Sequence, residues 1–231
     1  MNPQDSQIHC CCVAASKASK DSVATVEVNR PPPGEELNTG EVTPARPAAS
    51  AILLRDGDDG LEVLLVQRNP EQKFMGGAWV FPGGAMHEDD DGPAAAALRE
   101  LEEEAGIRLP EPGELIPYSR WITPAEVKIR FDTHFFVARS PEGARCTPDG
   151  AECVDGRWLR PRDALDAHRR DELMLVFPTI KHLEQLAELR SVDHALETAR
   201  RRRVLPVQPR VLAEGGVARV VLPGEPGYDE D

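Results

Sequence analysis

The stretch that decides the fold runs from Gly83 to Ile107 and reads GGAMHEDDDGPAAAALRELEEEAGI. Its second half predicts a helix, because Pro93 suits a first helical turn and four alanines follow it. Gly106 is a residue that can end such a helix.

The predicted helix carries an unusual acidic face. At about 100° per residue, Glu100, Glu103 and Glu104 fall together, while Glu102 points elsewhere and should be solvated. An apolar stripe adjoins this face and consists of Ala94, Ala97, Leu98, Leu101 and Ala105. Stacked like charges cost a helix a few tenths of a kcal/mol per pair, so a bound divalent cation is one explanation and a solvated face is the other. Hard oxygen ligands favour Mg²⁺ or Mn²⁺ over Zn²⁺, and no Cys or His stands at ligand spacing on this helix.

The acidic face belongs to a longer pattern. Its core reads Arg-Glu-Leu-Glu-Glu-Glu-Ala-Gly-Ile over residues 99–107, preceded by Gly84 and Asp90. This segment resembles the Nudix box, in which Arg-Glu-apolar-x-Glu-Glu-x-Gly-apolar follows a Gly and an acidic residue. The spacing from Gly84 to Arg99 is one residue longer than the common form, and Asp90 stands where Glu is usual. Both departures are typical of the branch that resembles coenzyme A diphosphatases.

The Nudix resemblance implies a role for each matched residue of the box. Glu100, Glu103 and Glu104 are implied as ligands of Mg²⁺ or Mn²⁺, and Gly84 is implied to add a backbone carbonyl. Arg99 is implied to hold the glutamates in place through an ion pair. Glu100 is the first choice for the catalytic base, although a base role competes with direct metal ligation.

A second pattern precedes the box. It is similar to the signature of coenzyme A diphosphatases and is carried by Leu64, Leu65, Arg68, Asn69, Lys73, Gly77, Phe81, Pro82, Gly83 and Gly84. Asn69 replaces a Ser, and Lys73 replaces an Arg, so positive charge is kept at both basic positions. The resemblance implies that Arg68 and Lys73 contact the substrate phosphates; without it, both would be ordinary surface cations. Lys offers a point charge where Arg offers a bidentate fork, so contact at Lys73 has less geometric precision.

Composition restricts the partners of the chain. Its 231 residues contain 27 basic and 40 acidic residues, giving a net charge of −13. This balance argues against a general nucleic-acid or membrane surface, so we expect a small nucleotide substrate and neither nucleic acid nor membrane as partner. No apolar run is long enough to span a bilayer and no secretory signal is evident, so we expect a cytoplasmic protein. The five cysteines, including Cys10–Cys12, have no disulfide or zinc-ribbon spacing and should be reduced.

The chain divides into three predicted parts. Residues 1–47 are polar and Pro-rich, which predicts a disordered leader. Residues 48–195 form the predicted Nudix domain, which opens with a hairpin around DGDDG and closes with a final helix after Pro178. Residues 196–231 should form an extension with a hairpin around Gly-Gly and an acidic tail. The arginines at 200–203 suit a helix C-terminus and are an alternative phosphate-docking site.

Periodicity alone predicts mixed α and β structure; the resemblance implies an α/β/α sandwich around a mixed sheet. It implies metal-dependent hydrolysis of a diphosphate bond, with coenzyme A or acyl-coenzyme A as substrate and 3′,5′-ADP and (acyl-)phosphopantetheine as products. ADP-ribose, dinucleotides or nucleotide sugars are alternative substrates, and non-catalytic nucleotide binding is an alternative function. His134 is a candidate base or a structural residue, and Glu152 is a candidate metal contact, a candidate base or a structural residue. Homodimerisation is a family expectation only.

Overall fold

The computed structural model describes residues 25–26, 38, 40–109, 114–214 and 217–229. Most of the predicted leader, Cys10–Cys12 among it, lies outside these residues, as do the last two residues of the predicted acidic tail. The described helices are α1 (Gly92–Ala105), α2 (Pro161–Arg169), α3 (Phe177–Leu186) and α4 (Val192–Arg201). None of them is both long and apolar enough to cross a bilayer.

The described strands form a sheet of eight and a sheet of three. The larger sheet contains β2 (Arg46–Gly57), β3 (Gly60–Arg68), β4 (Trp79–Val80), β5 (Gly83–Ala85), β6 (Ile116–Ile122), β7 (Phe131–Arg139), β8 (Cys153–Leu159) and β9 (Pro206–Val207). The smaller sheet contains β1 (Thr25–Val26), β10 (Arg210–Glu214) and β11 (Val217–Val221).

The larger sheet is mixed. Its strand β2 pairs antiparallel with β3 through the predicted DGDDG turn, where Gly57 lies opposite Gly60. The same strand pairs parallel with β7, which lies far away in sequence. Strand β2 is buried from Ala48 to Leu54, as expected for a central strand covered on both faces.

Helices cover both faces of this sheet. Because successive strand residues point to opposite sides, alternate residues of β2 and β7 enter two separate cores. The core under α1 includes Ala49, Ala51, Leu53, Phe136, Ala97 and Leu101. The core under α2, α3 and α4 includes Ile52, Leu54, Val137, Leu165, Leu183 and Leu196. The α/β/α sandwich around a mixed sheet is thereby confirmed.

Helix α1 begins and ends where its sequence signals lie. Pro93 occupies its first turn, and Gly106 adopts the left-handed conformation (φ 65°) and donates its N–H to the carbonyl of Glu102. The buried apolar residues include Ala96 as well as the expected Ala97, Leu101 and Ala105, whereas Ala94 and Leu98 are half-buried. The apolar stripe is therefore rotated slightly toward the side of Ala96.

The C-terminal region differs from the expectation in one respect. Helix α3 starts at the predicted Pro-Thr pair but is not the final helix, because α4 follows it and packs on the sheet through Val192, Ala195 and Ala199. The expected boundary after residue 195 falls inside α4. Beyond α4, β9 joins the larger sheet beside β6, and β10 pairs antiparallel with β11.

Candidate active site

The site begins where the helix α1 lies against strand β5. A Cβ built on Gly84 would lie 2.6 to 2.7 Å from the carboxylate of Glu100, so that carboxylate occupies the space directly above the glycine. Any larger residue at position 84 would displace it. Burial raises the pKa of Glu100, partly offset by Arg99, and the nearby charges of Glu103 and Glu152 raise it further.

Glu104 is the most deeply placed carboxylate of the group. Its Oε2 accepts a 2.8 Å hydrogen bond from the backbone N–H of Gly83. Its Oε1 is buried without a hydrogen-bond partner and lies 3.9 Å from the guanidinium of Arg68. Burial raises the pKa of Glu104 to about 7, with a further contribution from the charge of Glu100.

Arg99 connects the other carboxylates. It donates to both oxygens of Asp90 at 3.1 and 3.0 Å, to Glu100 at 2.8 Å and to Glu103 at 2.9 Å. Another donor bonds the carbonyl of Ala85 at 3.1 Å. These bonds raise the pKa of Arg99, the bond to Asp90 most of all, and they lower the pKa of Asp90. The Asp90 that departs from the common box is thus an anchor for Arg99, and its carboxylate also accepts from the N–H of His87.

The carboxylate oxygens of the site are of the type that binds a hard divalent cation. Carboxylate oxygens are the ligands that Mg²⁺ and Mn²⁺ prefer, and a buried oxygen without a partner, such as Oε1 of Glu104, is costly unless something binds it. Within the described residues, no group of three or more His, Cys, Asp and Glu side chains is gathered closely enough to hold an ion. Instead, Arg99 neutralises Glu100 and Glu103. Glu102 lies apart from this group and pairs with Arg108 on the surface.

The loop between β3 and β4 carries the two candidate phosphate ligands. Arg68 ends β3 on the side of Glu104, and its Nε donates to the carbonyl of Phe74 at 3.3 Å. Lys73 is exposed and makes no ion pair with any residue of the described ranges. The structure therefore brings Arg68 to the carboxylates and leaves Lys73 on the loop surface.

Asn69 has a role that its sequence position alone did not show. Its side-chain amide donates to the carbonyl of Ala151, and its side-chain oxygen accepts from the N–H of Glu71. Its backbone N–H donates to the carbonyl of Glu152. Asn69 thus ties the β3–β4 loop to the segment before β8, which a Ser side chain in the same place could do only in part. In the sequence, the one indication of this role is that Asn69 replaces the Ser of the signature.

The two further candidates lie at the edge of the site. Glu152 is exposed, and its N–H donates to Asp149, while its charge contributes to the raised pKa of Glu100. His134 lies in β7 opposite Ala49, the residue that also faces Gly84. Burial lowers the pKa of His134, as does the charge of Arg120. Within the part of the chain that the structure describes, His134 makes no hydrogen bond or ion pair with the glutamates of α1.

The fold and the glutamate helix define a Nudix domain. A model of the NUDIX domain matches residues 44–177, which is more than half of the chain. The chain therefore belongs to the Nudix family. The match includes the sheet up to β8, the helix α1 and every carboxylate described above.

Individual relatives agree with this assignment. The chain is 26% identical over 195 residues to a Caenorhabditis elegans protein named "Putative nudix hydrolase 7", covering 67% of this chain and 65% of that one. A NUDIX hydrolase structure from Alicyclobacillus acidocaldarius superposes with a TM-score of 0.59 at 27% identity, over 67% of this chain and 96% of the other. The NUDIX domain of Shewanella oneidensis NrtR, solved with ADP-ribose, gives 0.52 at 24% identity, over 63% and 88%. The last similarity shows the fold alone.

The chain spans slightly less than two thirds of the length of the Caenorhabditis elegans relative. The family membership and the fold follow from the comparisons, whereas the activity of this chain and its substrate need an argument from the site.

Proposed function

We propose that this protein is a Nudix hydrolase that cleaves the diphosphate bond of a nucleoside diphosphate derivative with the help of Mg²⁺ or Mn²⁺. Coenzyme A or acyl-coenzyme A is the substrate that we favour, with 3′,5′-ADP and (acyl-)phosphopantetheine as products. The observation that carries the proposal is the carboxylate of Glu104, which is buried beside Glu100 with one oxygen unpartnered and a pKa raised to about 7. The hydrogen bond from Gly83 accounts for one oxygen of this carboxylate only, and a buried carboxyl group with a strongly raised pKa is typical of a catalytic or ligand site.

The residues of the site would have different roles. Glu100, Glu103 and Glu104, with the carbonyl of Gly84, are the groups that would hold the cation. A divalent cation in such a site neutralises charge on phosphate oxygens. Arg99 keeps Glu100 and Glu103 in position through its paired bonds to Asp90.

Hydrolysis also requires that water lose a proton. The water oxygen bonds to phosphorus, its proton moves to a carboxylate, and the phosphorus–oxygen bond to the leaving phosphate breaks. Glu100 is our assignment for the proton acceptor, because burial raises its pKa toward the range of a working base. Glu104, with a pKa of about 7, is the competing acceptor.

The preference for coenzyme A rests on the signature that precedes the box. Several of its residues have structural explanations: Gly77 has a φ of 81°, which favours glycine, Phe81 is buried, and Gly84 makes room for Glu100. The two positively charged side chains of the signature differ from these residues. Arg68 faces the unpartnered oxygen of Glu104, and Lys73 is exposed without an ion pair among the described residues. Phosphate contact would give Lys73 a role that the fold does not, and it would add a ligand to the partners that Arg68 already has in Glu104 and the carbonyl of Phe74.

A substrate panel tests the proposal. Purified protein is assayed with coenzyme A, ADP-ribose, dinucleotides and nucleotide sugars, each with Mg²⁺, with Mn²⁺ and with EDTA. We expect coenzyme A to give the highest kcat/KM, with no turnover in EDTA. Glu103→Gln and Glu104→Gln should each lower kcat at least 100-fold while circular dichroism stays unchanged, and Glu102→Gln serves as the matched control.

Each part of the proposal has its own contrary result. Unchanged turnover in both Glu103→Gln and Glu104→Gln removes the metal assignment. Coenzyme A ranking last in the panel removes the substrate preference but leaves the hydrolase. Tight nucleotide binding by calorimetry without any product would instead show a non-catalytic binding module.

A further inference from the structure

An apolar pocket lies on the opposite face of the sheet from α1, at the end of the sheet where β3 and β6 finish. Its floor includes Trp121 and Phe135, and the start of α3 forms one wall with Phe177. The loop that carries Lys73 supplies Phe74, which packs on Phe131 with ring centroids 5.6 Å apart. The pocket has a volume of about 100 Å³.

The C-terminal hairpin completes the pocket. Val211 of β10 and Val220 of β11 lie opposite each other in the register and both line it. These residues lie beyond the segment that matches the NUDIX domain, which ends at residue 177. One wall is therefore built by a part of the chain that the family match does not include.

The lining has almost no capacity for hydrogen bonds. The described residues that line the pocket include no charged side chain, and its polar side chains are two threonines and one indole. Thr123 is already engaged, because its hydroxyl accepts from the N–H of Phe131 and donates to the carbonyl of the same residue. A nucleobase would leave its polar edge unpaired here, which costs about 1–3 kcal/mol per group. An aliphatic chain would leave nothing unpaired.

The pocket is connected to the candidate phosphate ligands through one short loop. Arg68 lies on the side of Glu104 and bonds the carbonyl of Phe74 at 3.3 Å, while the ring of Phe74 lines the pocket. Exposed Lys73 stands between them in sequence. A long, flexible ligand with its diphosphate near Arg68 could pass over Lys73 and place its far end in the pocket.

We propose that this pocket binds an aliphatic acyl chain at the far end of the substrate and thereby selects acylated over free forms. For the identity of the polar end, this inference rests on the proposed function. The small volume sets a limit, because a cavity of this scale holds only a few carbon groups before it is full. The gain from added methylenes should therefore level off at short or medium chain length.

Kinetics with a series of acyl-coenzyme A substrates form one arm of the test. We expect kcat/KM to rise roughly fourfold for each methylene that enters the pocket and then to level off. Val211→Trp should fill the pocket and remove this rise while leaving kcat/KM for free coenzyme A within about twofold. Leu205→Trp is the matched control, because Leu205 is exposed and does not line the pocket. Val211→Ala, which enlarges the pocket, should move the plateau to longer chains and also covers the case in which Val211→Trp fails to fold.

A second arm measures binding without turnover. Bromooctanoate is titrated into the full chain and quenching of tryptophan fluorescence is recorded. Because Trp121 lines the pocket, quenching should appear in the native protein and disappear in both Trp121→Phe and Val211→Trp. Trp79 and Trp158 do not line it and provide the unquenched background.

The two arms separate the possible failures. If coenzyme A is not cleaved but bromooctanoate quenches Trp121, the proposed substrate is wrong and the aliphatic site stands. If coenzyme A is cleaved, all chain lengths react equally and no quenching occurs, the pocket assignment is wrong and the hydrolase stands.

Discussion

The backbone N–H of Gly83 donates a 2.8 Å hydrogen bond to Oε2 of Glu104 and so fixes a buried carboxylate of α1 against strand β5. The other oxygen of the same carboxylate has no hydrogen bond. One oxygen of Glu104 is thus held by the backbone of β5, while the other is buried 3.9 Å from the guanidinium of Arg68.

The raised pKa of Glu104 predicts a pH-dependent stability. In metal-free protein, the folded state keeps a proton on Glu104 between its ordinary pKa of 4.5 and about 7, whereas the unfolded chain has released it. The free energy of unfolding should therefore fall as pH rises through this window, by up to about 3 kcal/mol. Glu104→Gln imitates the protonated form and should raise Tm by roughly 6–12 °C at pH 8 but not at pH 4.

Thermal unfolding in EDTA, followed by circular dichroism at both pH values, checks this prediction. Glu102→Gln is the control, because Glu102 is exposed and pairs only with Arg108. An equal Tm difference for Glu104→Gln at pH 4 and pH 8 would show that the carboxylate does not titrate in this window.

Arg99→Lys should separate the effect of the positive charge at position 99 from the effect of the hydrogen-bond geometry of the guanidinium. Lysine keeps the positive charge but cannot bond two oxygens of Asp90, Glu100 and Glu103 at once, as the guanidinium does. We expect a loss of about 2 kcal/mol in the free energy of unfolding and a drop in kcat with the best substrate. Urea denaturation and steady-state kinetics measure the two effects. Arg108→Lys, at an exposed pair, should change neither by a measurable amount.

Gly84→Ala tests the contact between β5 and α1. The added methyl would lie within 2.7 Å of the Glu100 carboxylate, so Glu100 must move. We expect kcat to fall at least tenfold, and the additional change Glu100→Asp should not restore it, because the shorter side chain no longer reaches the site. Gly40→Ala is the control, since no atom lies within 4 Å of its added methyl. Full activity of Gly84→Ala would show that the position of Glu100 is not needed.

The sequence was most informative where local signals agreed. As expected, Pro93 lies in the first turn of α1 and Gly106 ends this helix. The DGDDG turn joins β2 to β3. Contacts between residues far apart in the sequence were not predicted by such local signals. Nothing local to β2 predicts its parallel pairing with β7, and the burial of Glu104 depends on a strand that contains only three residues.

The sequence of α4 contains the pattern of an amphipathic helix, but small residues make this pattern weak. Val192, Ala195, Leu196 and Ala199 follow the i, i+3, i+4, i+7 spacing of an amphipathic helix. Two of these four are alanines, which contribute little hydrophobicity, so this spacing is a weaker helix signal than the periodic Leu residues of α3. We propose that the domain extends to the end of α4, beyond the predicted boundary after residue 195.

Asp56 gives a direct measure of how firmly α4 is attached. Its Oδ1 accepts a 2.9 Å bond from the N–H of Val192 at the first turn of α4, and its Oδ2 lies 3.3 Å from Arg139. Asp56→Ala removes both contacts at the end of the β2–β3 hairpin and should cost about 1 kcal/mol in urea denaturation. Asp58→Ala is the matched control, because Asp58 is exposed in the adjacent turn.

The same attachment predicts the result of shortening the chain. A protein that ends after residue 203 keeps α4 and should unfold in a single cooperative transition, whereas one that ends after residue 195 loses Leu196 and Ala199 from the core. Because deletion of buried apolar side chains removes their transfer free energy and leaves cavities, the shorter protein should lose at least 3 kcal/mol or fail to fold. Equal stability of the two proteins, together with a neutral Asp56→Ala, would show that α4 is an appendage and that the domain ends near residue 195.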